Sequence, residues 1–121
     1  MQCPKCYSSM SRVDDETVDV TIHRCDHCFG LHIERLTRST LDDMIVAVAF
    51  DIGDDAETEL DEMMYVDCPR CDLMMDQQLN ESPRVKIEVC EACNGVFLDA
   101  GELRRYTEPS LLESFRSLLP E

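Results

Sequence analysis

No stretch of this 121-residue chain is apolar for long enough to cross a bilayer as a helix. The longest run, Met44 to Phe50, falls far short of the roughly 20 residues required. Nor is an export signal expected, since Met1-Gln2-Cys3-Pro4-Lys5-Cys6 is already inside a cysteine motif. Bases are scarce: 11 lysines and arginines stand against 26 acids, for a formal charge of -15. From Ser39 to Cys68 there is no lysine or arginine at all. A field of that sign repels nucleic-acid phosphates and anionic headgroups and favours basic protein partners. Also missing are a nucleophile paired with a base and a phosphate-binding loop, so catalysis is not expected. The expectation is a soluble cytoplasmic protein with reduced cysteines and no membrane partner.

What the chain does have is eight cysteines, which in a short sequence mean either a disulfide framework or metal sites. Their order favours metal. Cys3, Cys6, Cys25 and Cys28 recur 65 residues later as Cys68, Cys71, Cys90 and Cys93, and both sets read Cys-x2-Cys-x18-Cys-x2-Cys. Each first pair encloses a proline and a base, Pro4-Lys5 and Pro69-Arg70, and each second pair is followed by a glycine, Gly30 or Gly95. Duplication of one module accounts for this. Two residues between cysteines let one tight turn present both sulfurs to an ion, and two such turns close a tetrahedral Zn2+ site. Two zinc ions, one per four-cysteine site, are therefore expected. Eight thiolates and two Zn2+ bring the charge to about -19. Iron is the other occupant such sites accept, and metal analysis distinguishes the two. Catalytic redox chemistry at a Cys-x2-Cys pair expects an alternating strand and helix pattern, which this sequence lacks.

Between the cysteine pairs the residues alternate as strands do. Val18, Val20 and Ile22 oppose Asp19, Thr21 and His23; Val85, Ile87 and Val89 oppose Lys86 and Glu88. Asp14-Asp15-Glu16 and Asn80-Glu81-Ser82-Pro83 read as the preceding turns. Leu41, Met44, Ile45, Val48 and Ala49 recur at helical spacing behind a Thr40/Asp43 capping pair, Gly53 ends that helix, and Asp54–Met64 follows as a second, acidic one. Ser110 and Glu113 form a capping-box pattern for a final helix carrying Phe115, Leu118 and Leu119 on one face. That face is expected to pack within the chain, with a homodimer through the helical segments as the alternative. The predicted fold is a small metal-stabilised α+β protein with two tandem four-cysteine zinc ribbons, each a β-hairpin. Its segments are a first ribbon over 1–38, an acidic helical linker over 39–65, a second ribbon over 66–106 and an amphipathic C-terminal helix over 107–121.

The second module continues Gly95-Val96-Phe97-Leu98-Asp99-Ala100-Gly101-Glu102-Leu103 after its last cysteine. With its four cysteines, that tail resembles the bacterial members of the transcription factor IIB-type zinc-ribbon family, with phenylalanine where tryptophan is commoner. The resemblance implies a zinc-ribbon fold and four thiolate ligands per module. The first module keeps the metal scaffold but reads Gly30-Leu31-His32-Ile33-Glu34-Arg35-Leu36, without the Asp-x-Gly-Glu-Leu tail. Fold does not dictate function.

Three functions compete. The first is a non-catalytic protein-interaction adaptor, in transcription or regulation, for a partner with a basic surface. The second is nucleic-acid binding through a local patch of Arg24, Arg84, Lys86, Arg104 and Arg105, which the overall charge opposes. The third is a zinc- or redox-responsive switch that ejects metal on thiolate oxidation. None of His23, His27 and His32 is assigned as a ligand, because the four-cysteine sets are complete. Asp99 and Glu102 are expected to cap or brace the turn after the second metal site rather than to act as acid and base.

Overall fold

The computed structural model describes residues 1–16, 20–41, 50–52, 66–81 and 84–119. Val18, Asp19, Asp43, Met44 to Ala49 and Asp54 to Met64 lie outside them, and with them both linker helices. Among the described residues there are six strands, β1 (Met10–Arg12), β2 (Thr21–Cys25), β3 (Leu31–Glu34), β4 (Asp76–Glu81), β5 (Arg84–Val89) and β6 (Val96–Leu98). After them the described residues form two helices, α1 (Glu102–Tyr106) and α2 (Pro109–Leu118). Each ribbon is thus three-stranded, one strand more than a hairpin. β4 runs on through Asn80 and Glu81, which pair with Val85 and Arg84, and Ser82 and Pro83 of the turn expected there lie outside the described residues.

The two ribbons are not separate beads. All six strands form one antiparallel sheet in the order β1-β2-β3-β6-β5-β4, and the join is the β3–β6 pairing. There His32 pairs with Phe97, Leu31 with Leu98 and Ile33 with Val96. His32 and Phe97 hold the same place in the two repeats, 65 residues apart, and the flanking pairs exchange under that offset. The duplicated module therefore meets its copy as a two-fold dimer does, with an approximate axis through the His32–Phe97 pair.

Strand alternation gives the sheet two unlike faces. Ile22, Leu31, Ile33, Val85, Ile87, Val89, Val96 and Leu98 line one, and all are buried in a core shared with Leu103, Tyr106, Phe115 and Leu119. At about 25 cal/mol per Å² of apolar surface, this continuous layer supplies stability that neither ribbon reaches alone. β6 ends at Leu98, and beyond it the Tyr106 hydroxyl takes over the pairing of β5. It accepts the Lys86 N–H at 3.2 Å, and its oxygen lies 3.3 Å from the Lys86 carbonyl. The opposite face carries His23, His32, Phe97, Glu88 and Lys86. Alternation predicts solvent for Lys86 and Glu88, yet both are buried, Glu88 against Lys5 of the first cysteine turn.

The final helix begins differently from the capping box expected at Ser110. Pro109 is its first residue, Glu108 is the N-cap in an extended conformation without a side-chain cap, and Ser110 lies inside the helix. Proline supplies the pre-set φ and needs no N–H partner in the first turn, so the helix starts before serine can cap it. Phe115 and Leu119 are buried against the sheet, with the Phe115 ring 5.6 Å from that of Tyr106. Arg38, just past β3, donates to the carbonyls of Ser117 (2.9 Å) and Leu119 (3.1 Å). A cation thus satisfies the helix C-terminus and ties it to the first ribbon.

Candidate metal centres

Four turns carry the eight cysteines, and all four have one geometry. The amide of the first cysteine donates to the carbonyl five residues on, as in Cys3 to Ser8, Cys25 to Gly30, Cys68 to Leu73 and Cys90 to Gly95. Its carbonyl accepts the amide four residues on, that of Tyr7, Phe29, Asp72 or Asn94. Those four residues all have φ between 57° and 63°. A left-handed residue closes the turn and leaves the two intervening amides free to point at sulfur. His27 and Cys28 do so, each donating to Cys25 Sγ at 3.4 Å.

The sulfurs converge as two groups, Cys3/Cys6/Cys25/Cys28 and Cys68/Cys71/Cys90/Cys93, with all Sγ atoms of a group within 4.8 Å of one another. Cys3 lies 3.8 Å from Cys28, Cys6 3.3 Å from Cys25 and Cys68 3.8 Å from Cys93. All eight cysteines are free thiols. Bonds of about 2.3 Å from a tetrahedral Zn2+ put the sulfurs about 3.8 Å apart, so both sets suit zinc. Without an ion, sulfurs this close cannot ionise independently. The hydrogen bond from Cys28 lowers Cys3 to about 5, and the same contact, with burial, pushes Cys28 up. Zn2+ resolves this by replacing the protons. A complete set of four thiolates holds the metal as a structural element.

Each ribbon completes the surroundings of the other. A Cβ added at Gly30 would lie 2.7 Å from Phe97 Cζ, and one at Gly95 would lie 2.5 Å from His32 Nε2. The aromatic ring at the repeat position of one ribbon thus lies on the glycine of the other. His32 Nε2 is also 3.8 Å from Cys68 Sγ. A thiolate on zinc accepts only, so with the metal bound this contact would favour the tautomer protonated on Nε2. Burial drives the His32 pKa down to about 4 and lowers that of His23.

The bases inside the first pair of each repeat cross over too. Lys5 Nζ, wholly buried, lies 2.7 Å from Asp99 and 3.6 Å from Glu88, and 5.7 Å from the centre of the Phe97 ring. Arg70, at the equivalent place, meets Glu34 at 3.1 Å while its side chain stays 53% exposed. Glu34 and Asp99 are themselves 65 residues apart, so repeat comparison carried a signal for both pairs. Burial would discharge Lys5, but Glu88 and Asp99 outweigh it and raise its pKa. Burial also raises Glu88, against the pull of Lys5.

Asp99 and Glu102 do brace the turn after the second site. Glu102 accepts the Asp99 amide at 2.7 Å and the Tyr106 hydroxyl at 2.6 Å. Burial, then the charge of Asp99, pushes Glu102 up to about 8. The cap of α1 comes from elsewhere. Asp51 is buried and accepts the amides of Gly101 (2.8 Å) and Arg104 (3.1 Å). Nothing in its surrounding sequence separates Asp51 from the other acids of the linker. His27 is exposed, and His23 and His32 come together with Glu34 on the far face of the sheet.

No curated protein and no solved structure matches the chain. Residues 67–109, from the residue before Cys68 to the first residue of α2, match the family described as transcription factor zinc-finger. The second ribbon is thus similar to that zinc-ribbon family over those residues, and residues 3–28 carry a second four-cysteine cluster of the same spacing.

Proposed function

We propose that this protein is a non-catalytic protein-interaction module of transcription or regulation, whose two zinc ions hold a rigid platform for a partner with a basic surface. The observation that carries this reading is a groove of about 310 Å³ between the zinc turns of the two ribbons. Cys3, Pro4 and Tyr7 form one wall, and Val66, Cys68 and Pro69 the other. Tyr7, which lines it, is 66% exposed; Leu73 and Met74, next in sequence to the lining Asp72, are 55% and 64% exposed, and Asp67 adds a second acid. Apolar anchors inside a charged rim are what protein interfaces use. A net charge of -15 adds attraction for a basic partner and repulsion for nucleic acid. The bases of the suggested nucleic-acid patch are largely engaged within the chain. Lys86 is buried, Arg24 donates to the Phe50 carbonyl, and Arg104 and Arg105 lie near Asp51 and Glu102.

The test compares wild-type protein with Tyr7→Glu and Met74→Glu variants whose zinc content is unchanged. A partner captured from lysate by the wild type, identified by mass spectrometry and lost with either variant, supports the proposal. Equal recovery by the variants, or salt-dependent binding to DNA or RNA by the wild type, overturns it.

A further inference from the structure

His23, His32 and Glu34 bring two ring nitrogens and a carboxylate oxygen within 4.8 Å of one another on the sheet face opposite the helices. Strand register explains the meeting. His23 pairs directly with His32 across β2 and β3, and Glu34, two residues beyond His32, projects from the same face. The Nδ1 atoms of both histidines are buried and have no hydrogen-bond partner among the described residues. For His32, fully buried, Nε2 lies 3.8 Å from Cys68 Sγ, so Nδ1 is the ring nitrogen left without a partner. Buried imidazole nitrogens are otherwise almost always paired.

The duplication supplies an internal comparison. The same three repeat positions in the second ribbon are Glu88, Phe97 and Asp99, and there the buried Lys5 ammonium lies against both carboxylates. In the first ribbon the equivalent base, Arg70, meets Glu34 from the surface. One copy accommodates a cation belonging to the protein, and the other presents two imidazoles and one carboxylate.

We propose that His23, His32 and Glu34 form a third metal site, distinct from the two four-cysteine centres, that binds a divalent first-row transition cation through two histidines and one carboxylate. Such a donor set suits zinc, iron or cobalt and leaves coordination positions open, unlike a closed four-thiolate site. Metal–ligand bonds of about 2.0–2.1 Å need donor atoms about 3.4 Å apart. His23 and Glu34 are the less buried members, so the adjustment to that spacing would fall to their side chains, while His32 is held close to Cys68 and Gly95. Glu34 is 15% exposed at its side chain, so the cluster reaches solvent on that side.

The experiment titrates the full-length two-zinc protein with Zn2+, and separately loads it with Co2+, counting bound ions by native mass spectrometry. Three ions are expected. With Co2+, two should show thiolate-to-metal charge-transfer absorption and the third should not. His23→Ala and Glu34→Gln should each weaken the third site at least about 10-fold while the first two ions and the circular dichroism spectrum persist. His23→Gln serves if the alanine variant misfolds. Saturation at two ions overturns the proposal, and so does a third ion held as tightly by the folded variants.

Discussion

Replacing Gly95 with alanine tests the closeness of the two ribbons through a single methyl group. The new Cβ would sit 2.5 Å from His32 Nε2 and 3.1 Å from both His32 Cε1 and Cys93 Sγ. Favourable carbon contacts begin near 3.5 Å, so the overlap with the imidazole is about 1 Å. The ring has no simple escape, because it is fully buried, contacts Cys68 and belongs to the strand that joins the ribbons. Gly95 is not among the positive-φ residues, so backbone strain plays no part. At such a site with room to spare, glycine to alanine would stabilise by about 0.4–1 kcal/mol. Overpacking of a filled core instead costs about 1–3 kcal/mol, which sets the expected loss. The assay is guanidinium unfolding of the two-zinc protein followed by far-ultraviolet circular dichroism, with zinc content checked before each run. Adding His32→Ala removes the clashing ring, so the double variant should be more stable than the sum of the two single losses implies. A Gly95→Ala protein that keeps both ions and matches or exceeds the wild type in stability would refute the packing.

Lys5→Met should destabilise by about 3–5 kcal/mol, because it strands the buried Glu88 and Asp99, whereas Arg70→Met should cost at most about 1 kcal/mol. Chemical denaturation of the two proteins measures the difference, and equal losses would contradict the unequal burial. Glu102 holds its proton to about 8 in the folded protein against an ordinary value of 4.5. The native state therefore binds more protons across that window, and stability falls as pH rises through it, by up to about 1.4 kcal/mol per unit. Glu102→Gln, which retains an acceptor for the Asp99 amide, should lessen the fall between pH 6 and 9 in denaturation midpoints. Cys71→Ser should remove one ion and also weaken zinc at Cys3/Cys6/Cys25/Cys28, because the ribbons share a sheet; native mass spectrometry during chelator titration reports both.

The cysteine register, read from the chain alone, was enough to divide the ligands into two sets, and the structure assembles those same sets. Ligand turns are local: a Cys-x2-Cys segment folds on hydrogen bonds among neighbouring residues, so its outcome is written in a few consecutive positions. The apolar alternation of Val85, Ile87 and Val89 was legible for the same reason, as was the amphipathic face of Phe115 and Leu119. The partners of Lys86 and Glu88 were not, since alternation assigns one face to water and cannot announce a zinc turn arriving from the other ribbon. Lys5 and Asp99 are 94 residues apart, and His23, His32 and Glu34 meet only once β2 and β3 are in register. The repeat established that there were two ribbons. Only the β3–β6 pairing made them one sheet, because that contact depends on which strand edges remain open after each module has folded.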